Sequence, residues 1–158
     1  MTETRRRRPG YDLYCKLSRL PLGHWLFTRI ICFKAPYFSN IRPLFRELRP
    51  GLARVTMPKR RAVQNHVGTV HALAMGNLCE LAAGLVTEAS LPASMRWIPR
   101  AMTIEYLAKA ETALEATASV EVQNETAAAD IPISVSVKDT QGCEVVRATI
   151  TMYMSPAH

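Results

Sequence analysis

The amino-acid sequence predicts an α+β fold in which an antiparallel β-sheet wraps around one central α-helix, with extra helices on the N-terminal side. Three features support this prediction. Residues 70–86 are long and apolar enough for a buried helix, the segments after them alternate between apolar and polar residues, and residues 11–50 show helical spacing in short pieces. A chain of 158 residues fits one domain with a substantial hydrophobic core.

The N-terminal part of the chain is basic and divided by prolines. Residues 1–10 are expected to form a disordered basic tail, and residues 11–50 a helical segment. Trp25, Ile30 and Phe33 would share one face of a helix, with Arg29 and Lys34 beside it. Two interpretations remain open: a helical layer that packs on the main domain, or peripheral contact with a membrane surface through residues 11–46. The main domain is expected to span residues 51–158.

The central helix, predicted over residues 70–86, is apolar on nearly all sides, which is typical of a helix enclosed by a sheet. Between residues 62 and 87, Glu80 is the only charged side chain. A carboxylate in such surroundings is either paired by other groups or used in chemistry. Glu80 is therefore the first candidate for a functional residue.

The strands are predicted from period-two alternation. Residues 51–57 form the first, and four more cover residues 95–107, 111–122, 131–138 and 143–154. Their polar outer faces indicate an antiparallel sheet covered on one side. A short turn at residues 139–142 predicts a hairpin between the last two strands, and the last four are expected to follow one another as a meander. The predicted inward-facing residues are Met102, Ile104, Tyr106, Leu114, Ala116, Ala118, Val120, Val122, Ile131, Ile133, Val135, Val137, Val146, Ala148, Ile150 and Met152.

Charge is distributed unevenly along the chain. Residues 1–61 hold 15 Lys and Arg against 3 Asp and Glu, whereas residues 62–158 hold 5 against 10. This asymmetry indicates contact with an anionic group: nucleic acid, lipid head groups or cofactor phosphates. No nucleic-acid recognition motif accompanies the basic runs, so nucleic acid is not expected as a partner.

The four cysteines are widely separated and form no CxxC pair, which predicts reduced thiols in a cytoplasmic protein. Neither a signal peptide nor an apolar run long enough to span a bilayer is recognised. His and Cys are scattered along the chain, and no metal site is expected.

The segment NHVGTVHA at residues 65–72, followed by Glu80, resembles the active-site segment of hotdog-fold acyl-CoA thioesterases of the PaaI-like branch. In that family an Asn and a Gly-Thr-x-His turn lead into the central helix, which carries an Asp or Glu. The front half, with KLSRLPLGHWLFTRIICFKAPY and ELRPGLARV, resembles the hotdog family DUF4442. Together the resemblances cover nearly the whole chain after the tail and imply the hotdog fold.

The thioesterase resemblance implies roles for individual residues. Asn65 precedes Glu80 by fifteen positions and His71 follows Asn65 by six, as in the family pattern. Glu80 would be the general base or the nucleophile, Asn65 would position the reactants, and the backbone N–H of Ala72 would bind the thioester carbonyl. Relatives often have Gly where this chain has Ala72. Pro99 stands near the place where some relatives carry a Ser or Thr that positions water.

The same resemblance implies an acyl-CoA or acyl-carrier thioester as substrate, with coenzyme A as part of the substrate and no separate cofactor. It also implies a homodimer or tetramer, because the helix carboxylate of one subunit faces the helix N-terminus of the next. The alternative is a hotdog protein that binds acyl groups or lipids without catalysis. The spacing of His66 before Glu80 is similar to that of hotdog dehydratases, but their proline-rich glycine turn is absent.

Each candidate residue also has a structural interpretation. Glu80 could be paired with Asn65, Asn77 or an N-terminal arginine, although Gly76, Ala83 and Gly84 on the same helical face predict open space for substrate. His71 is expected to cap the helix rather than transfer protons.

A second set of candidates lies in the loop that leads to the helix. Lys59, Arg60 and Arg61 would meet the phosphates of coenzyme A, or form an ordinary solvated basic loop.

Overall fold

The computed structural model describes residues 8–121, 124 and 126–157. Its helices are α1 (Pro9–Leu17), α2 (Gly23–Lys34) and α3 (Ala72–Ser90), with 3₁₀ helices at Pro36–Ile41 and Arg61–Val63. Its strands are β1 (Leu44–Arg49), β2 (Leu52–Met57), β3 (Met95–Tyr106), β4 (Leu114–Ser119), β5 (Ala129–Asp139) and β6 (Glu144–Pro156).

The strands form one six-stranded antiparallel sheet in the order β1-β2-β4-β5-β6-β3, and α3 contacts every strand of it. This arrangement is the predicted hotdog fold. No helix in the described ranges is long and apolar enough to cross a membrane.

The core lies between α3 and the concave face of the sheet. The inward residues predicted for β4, β5 and β6 are buried, apart from the half-buried Val120 after β4, and Val122 lies outside the described residues. The turn at residues 139–142 is also confirmed: Gly142 N–H donates to the Asp139 carbonyl at 3.1 Å, and Gly142 has the positive φ of 83° that glycine tolerates. Helix α3 begins at Ala72, two residues later than predicted, because Val70 still pairs with Gln64 in a β-bridge.

The prediction of a four-stranded meander is wrong. Only β4, β5 and β6 pair in sequence, while β3 lies beside β6 at the edge of the sheet. Alternation fixes which side chains point inward but leaves the neighbour of each strand undetermined. As a result Met102 and Tyr106 of β3, predicted to be core residues, point to the concave side and are still exposed at the open edge.

The predicted boundaries of the N-terminal segment also need correction. Residues 44–49 have apolar spacing that resembles a helix but form strand β1, so the sheet begins before residue 51. The pairing of β1 with β2 shifts between Phe45 and Glu47. This β-bulge lets Phe45 and Leu48 both face the core although they are three residues apart. At the other end, α1 begins at Pro9, inside the range expected for the tail; residues 1–7 lie outside the described residues.

Helices α1 and α2 form a layer that packs on β1. Tyr14, Phe27 and Phe45 stack edge to face with ring centroids 5.1 and 5.3 Å apart. The hydroxyl of Thr28 accepts a hydrogen bond from the Phe45 N–H at 3.0 Å, and His24 Nδ1 lies 3.0 Å from the Phe45 carbonyl oxygen. Helix α2 therefore satisfies the free edge of β1, whereas the outer edge of β3 pairs with no strand in the described part of the chain.

Replacing Thr28 with valine tests how α2 is attached to this edge. The substitution keeps the shape of the side chain but leaves the buried Phe45 N–H without an acceptor, so we expect the free energy of unfolding to fall by about 1–3 kcal/mol. Thr28→Ser keeps the hydroxyl and should lose only about 0.8 kcal/mol for the missing methyl group. Urea unfolding of both variants measures the difference, and equal losses would contradict the role of the hydrogen bond.

A second test concerns the contact between α3 and β3. A Cβ atom at the buried Gly84 would lie 3.1 Å from the Trp97 ring, so Gly84→Val should lower the free energy of unfolding by about 1–3 kcal/mol through overpacking. The double variant Gly84→Val/Trp97→Leu should be more stable than the sum of the single effects predicts. Additive losses in thermal or urea unfolding would show that the two side chains do not compete for this space.

Candidate active site

Glu80 lies in the middle of α3 and is half-buried. Its carboxylate makes no hydrogen bond or ion pair within the described part of the chain, so the alternative of a structural pairing with Asn65, Asn77 or an arginine is not observed. Glu88, two turns later on the same helix, shows the contrast: it accepts from Trp97 Nε1 at 3.0 Å and pairs with Arg8 at 3.4 Å. Glu80 is thus the α3 carboxylate left available for a ligand.

One stripe of α3 stays uncovered by the sheet. Leu73 and Glu80 lie on one helical face; Leu73 is 71% exposed and Glu80 is half-buried, while Gly76 between them lies against Ile104 of β3. On the sheet side, Tyr106 of β3 donates a hydrogen bond from its hydroxyl to the Ala72 carbonyl at 3.4 Å. The stripe therefore runs from the start of α3 to Glu80 beside the unpaired edge of β3.

The predicted open space around Glu80 is partly occupied. The Trp97 ring packs against Gly84, and Ile104 lies against Gly76, where a Cβ would be 3.3 Å from its Cδ1. Ala83 is fully buried. The small residues therefore admit side chains of β3 into the helix surface, and the space predicted at Gly76 and Gly84 is filled by Ile104 and Trp97.

Asn65 organises the loop that leads into α3. Its side-chain oxygen accepts from the N–H groups of Val67 and Thr69 at 3.0 and 3.1 Å, and its amide nitrogen donates to the Thr69 hydroxyl at 2.8 Å. Gly68 occupies the left-handed region with φ 84° at the tip of this turn. Within one chain, Asn65 makes no contact with Glu80 and holds the loop in a fixed conformation.

The N-terminus of α3 presents an unpaired donor. His71 caps the helix as expected, because its Nδ1 accepts a hydrogen bond from the Leu73 N–H at 3.1 Å. The Ala72 N–H has no acceptor among the described residues. Since it lies at the positive end of the helix dipole, this N–H suits an oxygen that carries negative charge.

The three basic residues of the preceding loop have different surroundings. Arg60 donates to the Asn40 carbonyl of the first 3₁₀ helix, which holds the loop against that helix. The side chains of Lys59 and Arg61 have no hydrogen-bond or ion-pair partner within the described ranges. These two cations are available to an anionic ligand, whereas Arg60 serves the fold.

The structure adds two residues to the candidate site, which the sequence indicated only as an inward-facing residue and as a possible partner of Glu80. Tyr106 reaches the first turn of α3, and its position became visible only from the pairing of β3 with β6. Asn77 is buried one turn before Glu80; its amide nitrogen lies 3.5 Å from the Tyr37 carbonyl, and its Oδ1 has no partner. In the sequence, the only indication of this role for Asn77 was weak: it is a polar residue three positions before Glu80.

Other chemistry at this site finds less support. Burial raises the pKa of the Cys79 thiol to about 12, so it stays protonated at neutral pH and is a poor nucleophile. Pro99 lies opposite Met152 just before a bulge in β3 and supplies no hydroxyl. Among the described residues, no group of three or more His, Cys, Asp or Glu is placed to hold a metal ion.

Comparison with solved structures identifies several similar folds. A crystal structure from a genomics project is 45% identical over 94% of this chain and 99% of that chain, with a TM-score of 0.82. A Pseudomonas aeruginosa protein of unknown function, described as a "probable thioesterase", is 20% identical over 77% of this chain and 88% of its own, with a TM-score of 0.71. A "hypothetical thioesterase protein with coenzyme A" from Streptococcus pneumoniae is 20% identical over 80% of this chain and 98% of its own, with a TM-score of 0.67.

The last two likenesses, at 20% identity, show the hotdog fold alone. No curated protein matches the chain. The family model described as "Domain of unknown function (DUF4442)" matches residues 23–154, which cover α2, α3, the first five strands and β6 up to Met154. The chain therefore belongs to the DUF4442 family.

Proposed function

We propose that this protein hydrolyses an acyl-CoA thioester to a free acid and coenzyme A, with Glu80 as the group that activates water. The observation that carries the proposal is a half-buried carboxylate without a partner on the uncovered stripe of an otherwise apolar helix. A carboxylate that the fold leaves unpaired in apolar surroundings is a candidate for a group used in chemistry. Similar folds described as thioesterases, one of them solved with coenzyme A, support the choice of substrate.

The reaction needs two parts of α3 that one chain cannot bring together. Eight residues separate Ala72 from Glu80, which is about 12 Å along a helix axis, whereas a base and an oxyanion donor must both reach the same carbonyl group. A second copy, related by a twofold axis, would place its Glu80 near the Ala72 N–H of the first. The site would then be shared between subunits.

The unpaired edge of β3 is the surface proposed for this dimer. It is lined on the concave side by the exposed Met102 and Tyr106, and Leu73 of α3 is exposed beside it. An unprotected strand edge flanked by apolar side chains is well suited to pairing with another chain. The opposite edge, β1, is already satisfied by α2.

In this dimer Glu80 takes a proton from water, and the water oxygen attacks the thioester carbonyl carbon. The Ala72 N–H of the other subunit stabilises the oxyanion of the tetrahedral intermediate, aided by the helix dipole. The intermediate collapses with cleavage of the C–S bond, and the proton held by Glu80 passes to the departing thiolate. Direct attack by Glu80 on the carbonyl is the variant in which an anhydride forms first.

The surroundings would orient the substrate. The loop held rigid by Asn65 positions the start of α3, and Lys59 and Arg61 are available for the phosphates of coenzyme A. The alternative is a hotdog protein that binds acyl groups without turnover. It is favoured by one observation: both polar atoms of the Asn65 amide are engaged in its own loop.

Glu80→Gln tests the base. With a panel of thioesters from acetyl- to palmitoyl-CoA, kcat/KM should fall about 10²–10⁴-fold because the amide cannot accept the proton from water, while the Kd for coenzyme A should change little. Glu88→Gln is the matched control on the same helix, since a Gln oxygen still accepts from Trp97, and it should keep wild-type turnover. Binding without turnover in the wild-type protein would favour the acyl-binding alternative.

Met102→Lys tests the shared site. A lysine on the concave side of β3 would bring a charge into the apolar part of the proposed interface, so light scattering should show a monomer and hydrolysis should be lost. Thr103→Lys is the control, because Thr103 is exposed on the outer face of the same strand, and it should remain dimeric and active. A monomeric wild type that still hydrolyses thioesters would contradict the two-subunit site.

A further inference from the structure

Helix α2 carries a row of apolar side chains that face solvent. Leu26 and Phe33 lie on one helical face, with Arg29 between them and Trp25 beside them, and Leu22 immediately precedes the first turn of the helix. Phe33 is 88% exposed, Leu22 is 80% exposed and Trp25 is 55% exposed. Single exposed apolar residues are ordinary, but a contiguous row of this size marks an interaction surface.

The orientation of this row is fixed by the opposite face of α2. Phe27, Thr28 and Cys32 are buried, and the Thr28 hydroxyl accepts from the backbone of β1. The helix cannot turn the row inward without losing these contacts. The row is therefore a rigid surface feature of the folded chain.

Leu22 shows that the row has a cost to the fold. Its backbone lies in the left-handed region, with φ 60° and ψ 12°, where glycine is favoured and a branched side chain is strained. The exposed side chain gains almost no burial in return. Strain that brings no packing within the chain indicates a contact outside it.

A cationic groove adjoins the row. It encloses about 770 Å³ between α2 and the ends of β1, β2 and β4, and Trp25 and Arg29 belong both to the row and to the groove wall. Arg42 and Arg46 line the same groove. Arg29 and Arg42 have no ion-pair or side-chain hydrogen-bond partner in the described ranges.

The two carboxylates at the groove offset these arginines only in part. Glu115 accepts from Arg54 at 2.8 Å, and Asp139 Oδ1 accepts from the N–H groups of Gln141 and Cys143 at 2.9 Å. The groove therefore has a net positive charge next to an apolar row, because three arginines line it against two carboxylates, one of which is paired with Arg54. This combination is complementary to an amphiphile with an anionic head.

We propose that α2 docks this protein on an anionic phospholipid surface. Leu22, Leu26 and Phe33 would enter the boundary between head groups and acyl chains, with Trp25 at head-group level. Arg29 and Arg42 would contact a lipid phosphate in the groove. The excess of basic residues before position 62 agrees with this partner.

A second copy of the chain fits this surface less well. A twofold contact through the row would set Arg29 against its own symmetry mate, and like charges at close range repel. The row and the groove also lie at the β1 side of the sheet, away from the β3 edge assigned to the dimer.

Sedimentation with phosphatidylcholine vesicles, with and without phosphatidylserine, tests the proposal on the full chain. The wild type should pellet with the anionic vesicles and stay in solution with the neutral ones. Phe33→Ser and Arg29→Glu should each weaken binding about tenfold or more, because one removes an inserted ring and the other reverses a charge near the surface.

Two further variants separate docking from folding. Leu22→Gly should weaken vesicle binding while the Tm stays the same or rises, since glycine relieves the left-handed strain. Ile98→Ser removes an exposed apolar residue from β3, at the other edge of the sheet, and should leave vesicle binding unchanged.

Equal pelleting of the wild type, Phe33→Ser and Arg29→Glu would overturn the proposal. So would a fall in molecular mass by light scattering for Phe33→Ser in the absence of vesicle binding, because the row would then be a contact between copies. Hydrolysis of a short soluble thioester should be unchanged in Phe33→Ser. Vesicle binding therefore tests the docking proposal, and thioester hydrolysis tests the thioesterase proposal separately.

Discussion

The packing of α3 against the concave face of the sheet is the contact on which the rest of the structure depends. A helix that is apolar on nearly every side must be covered on nearly every side, and all six strands contribute to that cover. The stripe through Leu73 and Glu80 is the exception. The packing of α3 against the sheet thus stabilises the domain and also determines which part of α3 is accessible to a ligand.

The two edges of the sheet are treated differently, and this asymmetry organises the surface. On β1, the N–H of Phe45 is satisfied by Thr28 of α2, so the edge is closed to other chains. On β3, no strand in the described part of the chain pairs with the outer edge. Closing one edge with α2 also turns the exposed row of that helix outward, so the same contact that protects β1 creates the second surface of the molecule.

The carboxylates of α3 show how tertiary context assigns roles to identical side chains. Glu88 is held by Trp97 and Arg8, and its charge is compensated within the fold. Glu80 has no such partner, and its immediate neighbour, the Cys79 thiol, is protonated because burial raises its pKa. A half-buried charge without compensation costs stability, so the two carboxylates affect the fold in opposite ways.

The sequence by itself determined the fold class, the central helix and the inward faces of β4, β5 and β6, because these depend on the periodicity of apolar residues along the chain. It also singled out Glu80, since one charge in a long apolar segment is visible without coordinates. The capping role of His71 followed from its position before the helix.

Tertiary structure alone decided the rest. The bulge in β1 gives this strand an apolar spacing that resembles a helix, so the sequence pattern did not predict a strand there. The pairing of β3 with β6 depends on long-range contacts that do not appear in the periodicity of either segment. Trp97 fills the space at Gly84, and the row of α2 faces outward, because of contacts with residues distant in sequence. Asn65 is engaged within its own loop because of the local path of the backbone. Sequence patterns record which residues avoid water, and only the folded chain records what each of them touches.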